Sequence, residues 1–176
     1  MASLLCIIPL NYKVAPYVDK QVYRSDQMKK SIMVCVDLNE ESMKLFTEDL
    51  DSWDWQNIKK VHLVHGFRLL AYTGTFYFNS YPGENQYEEI EASVRQVLMP
   101  LEEKAKEACS DVTVSRRCII ARAPKESLCA YAKKEKIDSM IVGTRGKHGI
   151  AGFFSSSFAE YMVGHAPCEL RVIRGD

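Results

Sequence analysis

The feature that most constrains the fold is an alternation of short apolar runs with amphipathic segments along residues 29–176. Continuous apolar runs are typical of strands buried on both faces of a parallel sheet. Residues 31–37 form such a run, and further strands are predicted at 61–66, 112–120, 138–142 and 169–174. Segments with helical spacing separate them. This order predicts βαβ units, and therefore an α/β fold with a doubly wound, five-stranded parallel sheet and helices on both faces.

Local signals refine the predicted helices. Asn39 is a good N-cap for a helix whose first turn holds Glu40 and Glu41. A longer helical pattern covers residues 90–108, and Pro100 should kink it because proline has no N–H to donate. Further helices are expected at 124–136 and 157–163, and a long loop at 67–86.

The first residues do not share this alternation. Residues 1–28 contain two prolines and a short apolar stretch at 4–8, without clear periodicity. We therefore predict an N-terminal extension over residues 1–28 and one α/β domain over residues 29–176.

Composition argues against several classes of function. Lys plus Arg and Asp plus Glu both number 23, and a net charge of zero does not suit a nucleic-acid partner held by a broad basic field. No apolar stretch approaches the roughly 18 residues of a membrane span, so no membrane partner is expected. The six cysteines include no C-x-x-C pair, which favours reduced thiols in a reducing, cytoplasmic setting.

A glycine-rich segment is the strongest candidate for chemistry. Residues 143–152 hold glycines at 143, 146, 149 and 152, between a predicted strand and a predicted helix. Glycines allow the backbone to approach a ligand, and successive N–H groups can bind an anion. Arg145 adds positive charge nearby. The spacing matches neither a Walker loop nor a G-x-G-x-x-G turn, so phosphate binding and a flexible surface loop both remain open.

This segment resembles the universal stress protein family, whose nucleotide-binding members carry the pattern G-x2-G-x9-G-[ST]. Gly143, Gly146 and Ser157 match the pattern, whereas Ser156 occupies the place of its third glycine. Residues 32–42 and 123–128 are also similar to family segments, and the resemblance covers residues 30–174. It implies a cytoplasmic, nucleotide-binding stress protein.

The resemblance implies ATP as the ligand, with Mg²⁺ as a candidate accompanying ion. The site residues that it implies are Val36, Asp37, Leu38, Val64, Gly143, Arg145, Gly146, Ser156, Ser157 and Phe158. Asp37 would lie near the ribose or a metal ion, and the backbone of Val64 would meet the adenine. The glycines would flank the ribose and first phosphates, and the two serines would hold the outer phosphates. The serines have a second interpretation, because Ser157 and Glu160 form the pattern of a helix capping box.

Two functions follow as hypotheses. The first is an ATP-binding universal stress protein that acts as a nucleotide-dependent regulatory or chaperone-like stress-response module. Slow ATP hydrolysis is the most that is expected of it, because no hydrolase motif is present. The alternative is a dimeric interaction protein of the same fold with no nucleotide bound. The resemblance implies that either form is a homodimer through the last strand, residues 168–174.

Overall fold

The computed structural model describes residues 29–69, 72–73, 79–80, 84–144 and 156–175, with the side chains of 29–69, 86–144 and 158–175. The strands are β1 (Lys30–Cys35), β2 (Ile58–Arg68), β3 (Tyr72–Thr73), β4 (Asn79–Ser80), β5 (Thr113–Ala121), β6 (Ser139–Thr144) and β7 (Glu169–Arg174). The helices are α1 (Glu40–Leu50), α2 (Glu84–Val97), α3 (Met99–Ala108), α4 (Pro124–Lys134) and α5 (Ser156–His165). The proposed extension, residues 1–28, lies outside these ranges, so the division of the chain stays a prediction.

The five long strands form one sheet in the order β5-β2-β1-β6-β7, and every adjacent pair is parallel. The predicted doubly wound parallel sheet is thereby confirmed. From β1 the chain moves to β2 and then β5, and it returns to the other side of β1 for β6 and β7. The direction of winding therefore reverses between β1 and β6.

Two apolar clusters pack on opposite faces of the sheet, as the continuous apolar run of β1 predicted. One cluster joins the sheet to α1 and α3 through residues such as Phe46 and Leu101. The other joins it to α4 and α5 through Leu128 and Met162. The central strand β1 contributes to both, because successive strand side chains point to opposite faces.

The start of helix α1 and the break between α2 and α3 lie where Asn39 and Pro100 predicted a cap and a kink. Asn39 Oδ1 accepts the N–H of Ser42 at 2.8 Å, which makes Asn39 the N-cap of α1. The predicted kink at Pro100 takes the form of a break, with α2 ending at Val97 and α3 placing the proline in its first turn. A proline there loses no hydrogen bond.

The prediction of a loop over residues 67–86 was wrong in three places. Strand β2 continues to Arg68, which pairs with Ala121 of β5. Strands β3 and β4 pair antiparallel within the predicted loop. Helix α2 begins at Glu84, before the predicted loop ends. Within the described ranges, no helix is both long and apolar enough to cross a membrane.

Candidate functional site

The carboxyl ends of β1 and β6 lie side by side at the point where the winding reverses. Cys35 of β1 pairs with Val142 of β6, so Val36 and Asp37 continue beside Gly143. Open α/β sheets bind ligands in the crevice at such a point. The register therefore brings two sequence-predicted site residues, Asp37 and Gly143, to one edge of the sheet.

The half-buried carboxylate of Asp37 is held in place by Asn39. Asn39 Nδ2 donates to Asp37 Oδ2 at 2.6 Å, while the other amide atom of Asn39 caps α1. One side chain thus starts the helix and orients the carboxylate. The sequence analysis found only the cap, although an aspartate two residues before an N-cap asparagine was the available signal.

His65 ties the end of β1 to β2. Its buried Nδ1 lies 2.8 Å from the carbonyl oxygen of Val36. A carbonyl only accepts, so Nδ1 carries a proton and donates it. Burial lowers the pKa of His65, while the bond to Val36 and the negative charge of Asp37 partly oppose that shift. The imidazole is therefore neutral near pH 7, and sequence reasoning did not assign it this role.

Three residues implied by the resemblance have core side chains. Val36 and Val64 are fully buried and Phe158 is 3% exposed. The N–H of Val36 donates to the carbonyl of Val64 at 2.9 Å, which places both backbones in the ladder. These side chains pack in the apolar core, so the roles that the resemblance implies for these residues would be backbone roles. Leu38 is half-buried and packs against the first apolar cluster.

The space beside Gly143 would admit a small side chain. A Cβ there would lie 3.4 Å from Leu45 Cδ2 and 3.4 Å from Phe46 Cζ, both on α1. These are ordinary van der Waals distances, so packing against α1 does not explain the glycine. None of the described glycines has a positive φ, so backbone strain does not explain it.

The phosphate part of the predicted site lies only partly within the described residues. Arg145 and Gly146 lie outside them, and of Ser156 and Ser157 the structure describes only the backbone, in the first turn of α5. Because β6 and β7 are parallel, α5 has to run back across the sheet between them. Its N-terminus therefore lies at the same sheet edge as Asp37, where its free N–H groups and dipole favour an anion.

The described residues offer no ready-made metal cage. They contain no group of three or more His, Cys, Asp or Glu side chains that could hold a metal ion. Mg²⁺ is commonly held by one or two carboxylates together with substrate phosphates. Asp37 fits that requirement as a single carboxylate beside the crevice.

The fold and the crevice together define a doubly wound α/β domain with a ligand site at the switch point of its sheet. Residues 28–174 match the model of the universal stress protein family. The chain therefore belongs to this family, as the resemblance predicted.

Known proteins that are similar to the chain agree with this. A universal stress protein from Thermus aquaticus, encoded in the 3′ region of a sulfhydrylase gene, is 30% identical over 113 residues, covering 63% of this chain and 80% of the relative. The structure of UspA from Lactobacillus plantarum has 23% identity and a TM-score of 0.59, covering 83% of this chain and 98% of that one. A family protein from Arabidopsis thaliana with AMP bound has 16% identity and a TM-score of 0.52, covering 84% and 92%. At these identities the two structures support the fold alone.

Proposed function

We propose that the protein is an ATP-binding universal stress protein that acts as a nucleotide-dependent regulatory or chaperone-like module in the cytoplasm. The observation that carries the proposal is the Asp37 carboxylate, fixed by Asn39 at the switch point of the sheet. The Arabidopsis thaliana protein of the same fold, with AMP bound, supports an adenine nucleotide as the ligand.

Each part of the crevice has a function in this proposal. Asp37 accepts hydrogen bonds from the ribose hydroxyls or contributes one ligand to Mg²⁺. The backbones of Val36, Leu38 and Val64 surround the adenine and ribose. The glycines at 143 and 146 flank the first phosphates. The first turn of α5 and the charge of Arg145 hold the outer phosphates.

Binding rather than rapid turnover is the expected activity. A hydrolase needs a base within hydrogen-bond reach of its nucleophile or water. The sequence carries no hydrolase motif, and His65, the described imidazole near the crevice, ties β1 to β2 through the bond of its Nδ1 to the carbonyl of Val36. The neutral form that burial favours also leaves His65 without a positive charge to offer a phosphate. A nucleotide that stays bound suits a regulatory module.

Calorimetric titration with ATP tests the proposal. We expect a dissociation constant in the micromolar range, about −8 kcal/mol. Asp37→Asn should weaken binding about tenfold or more, because it replaces a charged acceptor by a neutral amide. Gly146→Val should abolish binding by filling the space of the ribose. Gly164→Val is the matched control, because a Cβ at Gly164 meets nothing within 4 Å.

The alternative function, a dimeric interaction protein with an empty site, also has an observation in its favour. Strand β7 forms an edge of the sheet, and Val172 on it is 42% exposed. An open apolar edge strand is a template for pairing with a second copy. Absence of saturable ATP binding at millimolar concentration, with dimerisation intact, would overturn the nucleotide proposal and favour this one.

A further inference from the structure

A second candidate site lies away from the crevice, between β2, β5 and α4. It is a cavity of about 480 Å³, which is within the range of small-molecule pockets. The side chains that matter are Lys60 and His62 on β2, Ser115 and Arg117 on β5, and Tyr131 and Lys134 on α4. Lys60 pairs with the first residue of β5, so the polar lining begins near the amino ends of these strands, and Ile119 extends the lining further along β5. The nucleotide crevice is at their carboxyl ends.

Two buried polar atoms of this cavity lack a partner. His62 Nε2 and Ser115 Oγ are buried, and neither has a hydrogen-bond partner among the described residues. His62 is only 1% exposed. Buried polar groups are nearly always hydrogen-bonded, and an unpaired one is costly. Two such atoms in one cavity indicate that something with complementary polar atoms occupies it.

The proton of His62 can be assigned from its neighbours. Its Nδ1 lies 2.8 Å from Tyr131 Oη. An imidazole nitrogen is a stronger hydrogen-bond acceptor than a phenol oxygen, so we assign the phenol proton of Tyr131 to this bond, with Nδ1 as its acceptor. The Nδ1 atom then accepts, and in the neutral ring Nε2 carries the proton. The unpartnered atom is therefore an N–H donor that needs an acceptor.

The ring is neutral for a clear reason. Burial lowers the pKa of His62 to about 4, helped by the positive charges of Lys60 and Arg117 and opposed by Glu135. At neutral pH the Nε2–H therefore offers a hydrogen bond rather than a full charge. The ligand needs an oxygen atom that accepts it.

The charge around the cavity favours an anion. Its two acidic side chains already have cationic partners: Glu135 lies 3.8 Å from Lys60, and Glu91 lies 2.6 Å from Arg95. Within the described part of the chain, Arg117 and Lys134 form no ion pair. Two unpaired cations thus accompany two polar groups that can donate. The C-terminal end of α4 contributes negative partial charge, which the basic side chains of its last turn offset.

We propose that this cavity binds a small oxyanion, a compact ligand with a carboxylate or phosphate group. The anionic oxygens accept from His62 Nε2 and the Ser115 hydroxyl and pair with the cations of Arg117 and Lys134. The site is independent of the nucleotide crevice, so it does not depend on the function proposed above.

Nitrogen-15 NMR of the histidine side chains tests this directly. The protein is titrated with inorganic phosphate and, separately, with citrate, against sodium chloride at the same ionic strength. We expect one of the two anions to shift the Nε2 resonance of His62 in a saturable way, while His65 does not respond. The anion that saturates identifies the phosphate or the carboxylate form of the ligand. If neither anion gives a saturable shift beyond the chloride control, the proposal is overturned.

Charge-removing variants provide the second measurement. Arg117→Gln and Lys134→Gln should each raise the dissociation constant of the active anion about tenfold. Lys133→Gln is the matched control, because Lys133 is an exposed lysine on the same helical turn that does not line the cavity. Equal weakening by Lys133→Gln would show non-specific attraction and refute a built site. Affinity for ATP should be the same in all three variants.

Discussion

The pH dependence of stability provides a quantitative test of the environment of His62. This side chain is 1% exposed, and burial lowers its pKa from the ordinary value of 6.5 to about 4. Its other neighbours act in both directions, since Lys60 and Arg117 lower the pKa further and Glu135 raises it. Replacing His62 by glutamine removes the titration but keeps a polar side chain that can hydrogen-bond.

The sign and size of the pH effect of His62 on stability follow from proton linkage. Between pH 6.5 and about 4 the unfolded chain binds a proton at His62 that the folded protein does not bind. Stability therefore falls as pH decreases through this window. The full shift is 6.5 minus 4, or 2.5 units, equivalent to about 3 kcal/mol at most. About 2 kcal/mol of this should already be lost by about pH 5.

Urea unfolding of the wild type and His62→Gln at about pH 7 and pH 5 measures this contribution. The free energy of unfolding of the variant should fall by about 2 kcal/mol less than that of the wild type over this interval. Comparing the two proteins matters because burial lowers the pKa of His65 as well, and that contribution cancels. Parallel slopes for the wild type and His62→Gln would refute the reasoning.

Two further predictions concern packing and assembly. Gly66→Ala should lower the free energy of unfolding by about 1–3 kcal/mol, because the new Cβ would lie 3.0 Å from Cδ1 of the buried Leu128. Gly143→Ala should lower the free energy of unfolding by less than about 1 kcal/mol, since the closest contacts of the new Cβ would be at 3.4 Å. Thermal unfolding of both variants measures the difference. A larger loss in Gly143→Ala than in Gly66→Ala would contradict this geometry. For assembly, light scattering should show a homodimer through residues 168–174. Val172→Lys should give a monomer of 20.1 kDa, and a wild-type monomer would exclude this interface.

Local signals in the sequence were sufficient to predict the sheet and most of its helices. The run at 31–37 was recognisable as a central strand because buried parallel strands are apolar on both faces, and β1 is buried on both. Asn39 predicted a cap and Pro100 a kink, which the structure shows as a break, because their effects act within one helical turn. Such features need no knowledge of the remote chain.

The parts that could not be predicted depend on partners far away in the sequence. The extension of β2 to Arg68 depends on pairing with Ala121, which nothing near residue 68 indicates. The bond between His62 and Tyr131 joins residues 69 positions apart. Tertiary geometry decides both. At the candidate site, by contrast, the bond between Asn39 and Asp37 joins residues only two positions apart, and it was overlooked although both residues stand next to the predicted cap.

The two histidines of β2 belong to different candidate sites because successive side chains of a strand point to opposite faces of the sheet. His62 and His65 are three residues apart on β2, so their side chains leave opposite faces of the sheet. His62 meets Tyr131 of α4, whereas His65 turns to the carbonyl at the end of β1. Each imidazole is neutral through its own burial and is held by its own partner. Loss of oxyanion binding in Arg117→Gln with normal ATP affinity would therefore identify two separate sites. Loss of both would indicate instead that the substitution disturbs the sheet they share.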